Sequence, residues 1–282
     1  MFSNIIESVK KIGVSIIFWT SIVSMPLLLS VNIDNYLVQN DFYRSPLGLI
    51  LGIQSVIVGH FFTLFYYFNN TNLNFIQKNN HPEYVFNKEL IKHLTKPEGL
   101  IMLGGYLSFM WVYGYMPASY YSFKGGINWL HVALQLVIQD FIQYFIHLLE
   151  HKFQSRRIPL LCHKLHHRFI SPKLFDAYDG SISDTFLMIL IPLFITSRII
   201  PSNTWSYIVF GCIYANWLAL IHSEYEHPWD KFFKFIGFGT PSDHHVHHKL
   251  FINNFGHLFM YWDKLFGTYR DPNSVPGLNV VN

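Results

Sequence analysis

The chain has 282 residues, of which 51% are hydrophobic, 18% aromatic and only 13% charged, about half of the ~25% charge typical of a soluble domain. Its 20 Lys and Arg against 17 Asp and Glu leave a formal charge of +3, too balanced for a nucleic-acid-binding protein. Two cysteines, Cys162 and Cys212, exclude a disulfide-dense secreted scaffold and a cysteine-rich metal site, and both are expected as free thiols.

Residues 12–33 form a charge-free run of 22 residues behind Lys10 and Lys11, long enough to cross a bilayer core of ~30 Å. It exceeds the apolar region of a signal peptide and no small-residue cleavage site follows, so a retained helix is expected. Residues 46–68 make a second span, interrupted only by His60, and residues 99–123 a charge-free third. The fourth span begins near residue 127, runs into His147 and contains Asp140, a carboxylate that must face protein or water. Two shorter apolar segments follow, 185–197 and 199–223, separated by Arg198. With 13 residues between charges, the first is too short for a plain span, and the pair is expected as a membrane-embedded helical hairpin. Basic residues cluster in loop 69–98 (Lys78, Lys88, Lys92, Lys96) and in 152–173 (Lys152, Arg156, Arg157, Lys164, Arg168, Lys173), against single ones, Arg44 and Lys124, in the intervening loops. The positive-inside rule therefore places the N-terminus and every clustered histidine in the cytosol.

Residues 147–248, about a third of the chain, hold 11 of its 16 histidines. In His147-Leu-Leu-Glu-His151 the i, i+4 spacing sets both imidazoles on one helix face, where they can reach one metal. Asp140 lies seven residues earlier on the same stripe as Gln143, placed to fix the tautomer of a ligating histidine. In His163-Lys-Leu-His166-His167, His166 and His167 diverge by about 100° on a helix, which suits two adjacent metals. The same spacing recurs in His244-His245-Val-His247-His248, with His245 outside the repeated pattern. His222 falls where an apolar helix meets the cytosol; His227, five residues on and followed by Pro228, fits a helix less well. Nine candidate ligands result: His147, His151, His163, His166, His167, His222, His244, His247 and His248, with His227 and His245 as two further candidates. A tetrahedral site takes four ligands, so this number implies two metals. Neutral imidazoles suit zinc, copper, iron or nickel and exclude a calcium or magnesium site. His60, His81, His93, His131 and His257 are expected as ordinary packed or surface histidines, with His257 left open by its nearness to the closing segment.

These three boxes, in this order behind several membrane spans, resemble the signature of the fatty acid hydroxylase/sterol desaturase superfamily. The later stretch Asn253-Asn-Phe-Gly256 … Trp262-Asp-Lys-Leu-Phe-Gly267-Thr is similar to that family's closing pattern. The resemblance covers about 125–272, while residues 1–124 share only their hydrophobicity. It points to an all-α integral membrane fold: about four transmembrane helices plus an embedded hairpin, with a cytosolic histidine-rich metal cap. The expected organisation is transmembrane helices in 1–124, the catalytic domain in 125–272 and a tail in 273–282. The resemblance also implies two iron ions held by the boxes, O2 as co-substrate, and hydroxylation or desaturation of a sterol or related lipid in the endoplasmic reticulum. The chain shows no dinucleotide fingerprint, Walker loop or haem-binding domain, so electrons are expected from a cytochrome b5-type donor and its NAD(P)H-dependent reductase. The basic rim at 152–173 is expected either as a dock for an acidic donor or as an ordinary exposed loop. Subfamily signals diverge. Gly267-Thr-Tyr-Arg-Asp-Pro272 resembles sterol C-5 desaturases, His222-Ser-Glu-Tyr225 resembles cholesterol 25-hydroxylases and C-4 methylsterol oxidases, and Thr240-Pro-Ser-Asp243 resembles alkylglycerol monooxygenase-like members. Fatty-acid or sphingolipid hydroxylation is a further alternative. Where many relatives carry Tyr…His-Pro after the second box, this chain has Tyr178-Asp179-Gly180, so that histidine's role is either lost or taken by Asp179. A reading of another class, a histidine-rich metal transporter, would require ligands near the bilayer midplane or in a loose loop, not boxes at helix ends on one face.

Overall fold

In hydrocarbon every backbone N–H and C=O must be satisfied within its own segment, and the apolar runs of this chain accordingly fold as helices. The computed structural model describes residues 2–32, 46–69, 74–77, 86–154 and 163–279, the side chains of 2–5, 86–89, 154 and 163–165 excepted. In chain order the helices are α1 (Phe2–Ile22), α2 (Ser24–Asn32), α3 (Leu47–Asn69), α4 (Phe86–Thr95), α5 (Met102–Val112), α6 (Trp129–Gln154), α7 (Ile182–Ile199), α8 (Thr204–Ile221), α9 (Asp230–Phe235), α10 (Pro241–Leu250) and α11 (Tyr261–Phe266). Short 3-10 turns cover His163–Arg168 and Leu174–Tyr178. Among the described residues there is no strand, only isolated bridges such as Phe75 with Tyr225 and Gln77 with Leu278.

Four of these helices, α3, α6, α7 and α8, are long and apolar enough to cross a bilayer, or five if the bent pair α1–α2 counts as one span. The protein is an all-α integral membrane protein. Two details depart from the sequence expectation. The third expected span, 99–123, is helical only to Val112: five residues of π-helix, Pro97–Ile101, run into the eleven of α5, and Tyr113–Phe123 is a turn with a 3-10 segment. Gly114 at φ 70° and Pro117 stop the helix there, although the run stays apolar. The segment judged too short, by contrast, becomes the 18-residue α7. Ser181 caps its first turn, accepting from the Asp184 N–H at 3.1 Å, and the helix runs through Arg198.

The first span is broken for a local reason. Pro26 cannot donate to the carbonyl of Ile22, and the chain bends by 57° between α1 and α2. That carbonyl faces Gly59 on α3: a Cβ added there would lie 2.9 Å from the Ile22 oxygen.

Small residues on α3 recur every three or four positions (Gly48, Gly52, Ser55, Gly59, Thr63), the pattern that lets membrane helices approach closely. Gly48 meets Thr204, Gly52 meets Ile208 and Gly59 meets Asn216, so α3 and α8 run parallel in register. Thr63 Oγ1 donates to Asn216 Oδ1 at 2.7 Å. The centre of the bundle is α8, with 83% of its apolar window buried against 22% for α3. Its C-terminus arrives beside that of α6, and this shared end carries the histidine boxes.

Candidate metal centre

The boxes meet in two groups of four. His147, His151, His167 and His247 bring their ligand nitrogens within 4.8 Å of one another, and so do His166, His222, His244 and His248. In the first group Nε2 of His167 lies 2.9 Å from Nε2 of His151 and 3.1 Å from that of His247. In the second, Nε2 of His222 lies 3.1 Å from that of His166 and 3.0 Å from that of His244, which is 3.0 Å from that of His248.

Local structure explains the sorting. His147 and His151 share a face of α6 and enter one group. His166 and His167 are consecutive in a 3-10 turn and therefore point apart, one to each group. On α10, His244 and His248 are four apart and join one group, while His247 joins the other. Helix α10 is started by Thr240, which forms a reciprocal capping box with Asp243 and has Pro241 at N1. It ends at Phe251, which takes a left-handed φ of 64°. That is an uncommon conformation for a large side chain, and the ring of Phe251 packs edge-on at 4.9 Å from that of His167.

The outward nitrogens define the tautomers. Nδ1 of His147 donates to the Phe255 carbonyl at 2.8 Å, His247 to Asn253 at 2.8 Å, His222 to Leu218 at 2.7 Å and His248 to Phe169 at 2.8 Å. A carbonyl only accepts, so these Nδ1 atoms carry the proton and Nε2 presents a lone pair inward. Burial, reinforced by neighbouring imidazoles, holds His222, His244 and His248 far below the ordinary imidazole pKa, so they stay neutral. Two rings of each group thus present Nε2 lone pairs inward, toward the other two imidazoles of the group. The donor set therefore fits a metal, and neutral imidazole suits iron, zinc, copper or nickel.

The closing segment supplies two of these acceptors, the carbonyls of Asn253 and Phe255. Asn254, in a left-handed conformation (φ 54°), uses Nδ2 to hold the carbonyls of Asp243 and Arg270 at 3.0 and 2.9 Å. Asp263 accepts from the N–H groups of Phe255 and Gly256, both at 2.8 Å. The Asn-Asn-Phe-Gly … Trp-Asp motif thus sets the two carbonyls that orient His247 and His147.

Asp140 has a different task from the one expected. Among the described residues it bonds to no histidine ring; its oxygens accept from the backbone N–H groups of His257, Leu258 and Phe259 at 3.1, 2.7 and 2.9 Å and from the indole of Trp262 at 3.1 Å. Backbone carbonyls have taken over the tautomer-fixing role, an arrangement with no side-chain signature. His227 and His245 also stand outside both groups. Nδ1 of His227 faces the Tyr66 hydroxyl at 3.1 Å and its ring stacks on Trp229, while His245 bridges the Ser223 carbonyl at 3.0 Å and Gln77 Nε2 at 2.9 Å. Burial pushes their pKa values down to about 3 and about 4. The side chain of His163, with Arg156, Arg157, Cys162 and His81, lies outside the described residues.

His257 is the residue the spacing left open. It is buried, with its ring 5.0 Å from that of His147 and 5.2 Å from that of His244, between the two groups. Its only sequence signal was proximity to the closing motif. His60 and His93 stack on each other at 5.2 Å away from both groups. Asp179, in place of the relatives' His-Pro element, is a buried anchor for Lys92 at 2.9 Å, Arg168 at 2.6 Å and Lys96. It ties the second box to α4 and makes no contact with a histidine group. A cavity opens beside the second group, bounded by His166, His222, Gln143, Asp184, Met188 and Leu218. Its outer wall is α7, which is π-helical over Phe186–Leu190, a distortion frequent at functional sites.

Comparison with known proteins agrees with this layout. The fatty acid hydroxylase family profile matches residues 132–268. The chain is 46% identical to an alternative squalene epoxidase of Phaeodactylum tricornutum over 90% of its own length and 79% of that protein. It is 26% identical to a Delta(7)-sterol 5(6)-desaturase of Schizosaccharomyces pombe, covering 79% of this chain and 65% of that one. Methylsterol monooxygenase 1 of Rattus norvegicus is 32% identical over 47% of this chain and 44% of its own length. No solved structure matches. With its boxes, its closing motif and a relative 46% identical over 79% of that protein's length, the chain belongs to the fatty acid hydroxylase family, the superfamily that includes the sterol desaturases.

Proposed function

We propose that the protein is a di-iron, O2-dependent oxidoreductase of the endoplasmic reticulum membrane that epoxidises squalene or a similarly long apolar isoprenoid lipid. That it oxidises a sterol or related lipid follows from its family and from relatives that are sterol desaturases, methylsterol monooxygenases and a squalene epoxidase. The observation that carries the finer reading is 46% identity to the squalene epoxidase along nearly the whole chain, against partial or weaker matches to the sterol enzymes.

The two four-histidine groups are the proposed iron sites, with His163 retained as a ninth ligand from its place in the second box. Bound there, a reduced iron pair supplies the activation of O2 that side chains cannot. Epoxidation consumes the alkene, O2, two electrons and two protons, and yields the epoxide and water. The chain's own part is to position the lipid. Helices α6, α7 and α8 bound the cavity, whose apolar residues Met188, Ile189 and Leu218 can seat a hydrocarbon against the second group and exclude water. The electrons are assigned to a cytochrome b5-type donor with its NAD(P)H-dependent reductase. Lys92 and Arg168, both half-exposed around Asp179, support docking of an acidic partner on the histidine side, the face assigned to the cytosol.

The test is reconstitution in nanodiscs with iron, donor, reductase and squalene. The expected product is a terminal epoxide, with two irons per chain. His247→Ala and His166→Ala, one in each group, are expected to lose iron and turnover while retaining helical content. Full iron and activity in both variants would refute the sites. An untouched squalene alongside a hydroxylated or desaturated sterol would transfer the assignment to the sterol enzymes.

A further inference from the structure

Helix α6 carries Gln135, Gln139 and Gln143 at i, i+4 spacing, a stripe that continues into His147 and His151. All three are at most 2% exposed. An amide inside a membrane helix is costly unless hydrogen-bonded, and each has partners. Ser202 Oγ donates to Gln135 Oε1 at 3.4 Å, and Gln135 Nε2 donates to the Tyr120 hydroxyl at 3.2 Å. Nearer the histidines, Thr196 Oγ1 donates to Gln139 Oε1 at 3.1 Å, Gln139 Nε2 to the Tyr214 hydroxyl at 3.1 Å, and that hydroxyl to Gln143 Oε1 at 3.0 Å.

This second chain runs in one direction, each group donating toward the metal end. Its last member has its carbonyl oxygen occupied and lines the cavity together with His166 and His222. Among the described residues nothing accepts from its amide nitrogen. The other hydroxyls of the cavity wall are used elsewhere: Tyr178 donates to the Ala215 carbonyl at 3.1 Å and Thr185 to that of Glu98. Asp184 contributes acceptor oxygens, and Met188, Ile189 and Leu218 contribute none. The cavity therefore holds a fixed amide donor at the end of a buried relay, beside the second histidine group.

We infer that Gln143 is a catalytic residue that donates a hydrogen bond to the oxygen atom being joined to the lipid. The inference rests on the epoxidation reading. Squalene has no acceptor, so the bond is absent with the substrate and forms as the oxygen attaches to carbon. No proton is transferred from the amide; the stoichiometry stays as given above. An interaction made only with the oxygenated species raises turnover without tightening substrate binding.

The experiment uses the full chain in nanodiscs without the electron donor, titrated with squalene and with its terminal epoxide. The wild type is expected to bind the epoxide about tenfold more tightly than the hydrocarbon, the scale of one buried neutral hydrogen bond. Gln143→Leu is expected to bind both alike. Gln143→Met, close in volume and without a donor, gives the same loss and guards against a packing artefact. With donor restored, both variants are expected to show lower kcat and an unchanged KM for squalene. A preference retained in both variants overturns the inference and leaves the epoxidation reading standing. A wild type that binds neither ligand overturns both.

Discussion

Asp140 illustrates what a single buried charge does here. Four donors, three backbone N–H groups from 257–259 and the Trp262 indole, converge on its two oxygens, and a carboxylate is the side chain of this size whose oxygens are both acceptors. The consequence reaches the metal centre through the backbone. Only Gly256 separates residues 257–259 from Phe255, whose carbonyl orients His147, and Gly256 has no room for a side chain, since a Cβ there would lie 2.4 Å from the Phe259 carbonyl. Asp140→Asn preserves shape but turns an NH2 toward N–H groups that need an acceptor. Leaving buried donors unmet costs about 1–3 kcal/mol each, and in a chain of this size each kcal/mol lowers the melting midpoint by roughly 2–4 °C. The variant is expected to insert and bind metal, but to melt several degrees lower in a thermal scan of detergent-purified protein. An unchanged midpoint would mean that the four bonds do not hold the loop.

At the level of helices, close approach of backbones holds the bundle together. Gly59 on α3 is where α1, α3 and α8 meet: a Cβ there would lie 2.9 Å from both the Ile22 carbonyl oxygen and Asn216 Nδ2. The carbonyl belongs to the backbone at a proline kink and cannot swing aside, so Gly59→Ala forces the helices apart at a cost of about 1–3 kcal/mol. Gly13, on α1 with nothing within 4 Å of an added Cβ, is the control. Gly13→Ala is expected to be neutral or slightly stabilising, and thermal midpoints of the two variants decide between them. The same helices show how far the sequence could be read. Apolar length correctly marked residues 46–68 and the Asp140-bearing span, and histidine spacing at i, i+3 and i+4 located the boxes. Length failed at 99–123, because an apolar run does not report where Gly114 and Pro117 end a helix. It failed oppositely at α7, because Arg198 in the last turn of that helix was counted as a boundary. The sorting of His166 from His167 was legible as an angle. The carbonyls that orient the rings were not, because a backbone acceptor can belong to any residue type.

Across the whole molecule, two stabilising systems share one protein. The membrane core is held by small-residue packing between α3 and α8 and by bonds such as Thr63–Asn216 and Gln139–Tyr214, none of which involves a box histidine. The cap is held by the two histidine groups, which join α6, the 163–168 turn, the end of α8 and α10. A metal held by the assembled groups and not by the unfolded chain contributes its binding free energy to cap folding. Removing it costs the cap that contribution while the core loses nothing. Chelation under reducing conditions is therefore expected to raise amide hydrogen exchange in 163–180 and 241–256 and leave 204–216 protected, with recovery on adding ferrous iron. Acid should deepen the effect. His227 and His245 are held by burial at about 3 and about 4, below the ~6.5 of an unfolded histidine. The unfolded state thus takes up protons first, and the stability they contribute, complete above about pH 6.5, is lost as pH falls toward 4. Exchange that rises equally in cap and core would show one cooperative unit. Exchange that stays flat on chelation would remove the metal from the cap's stability altogether.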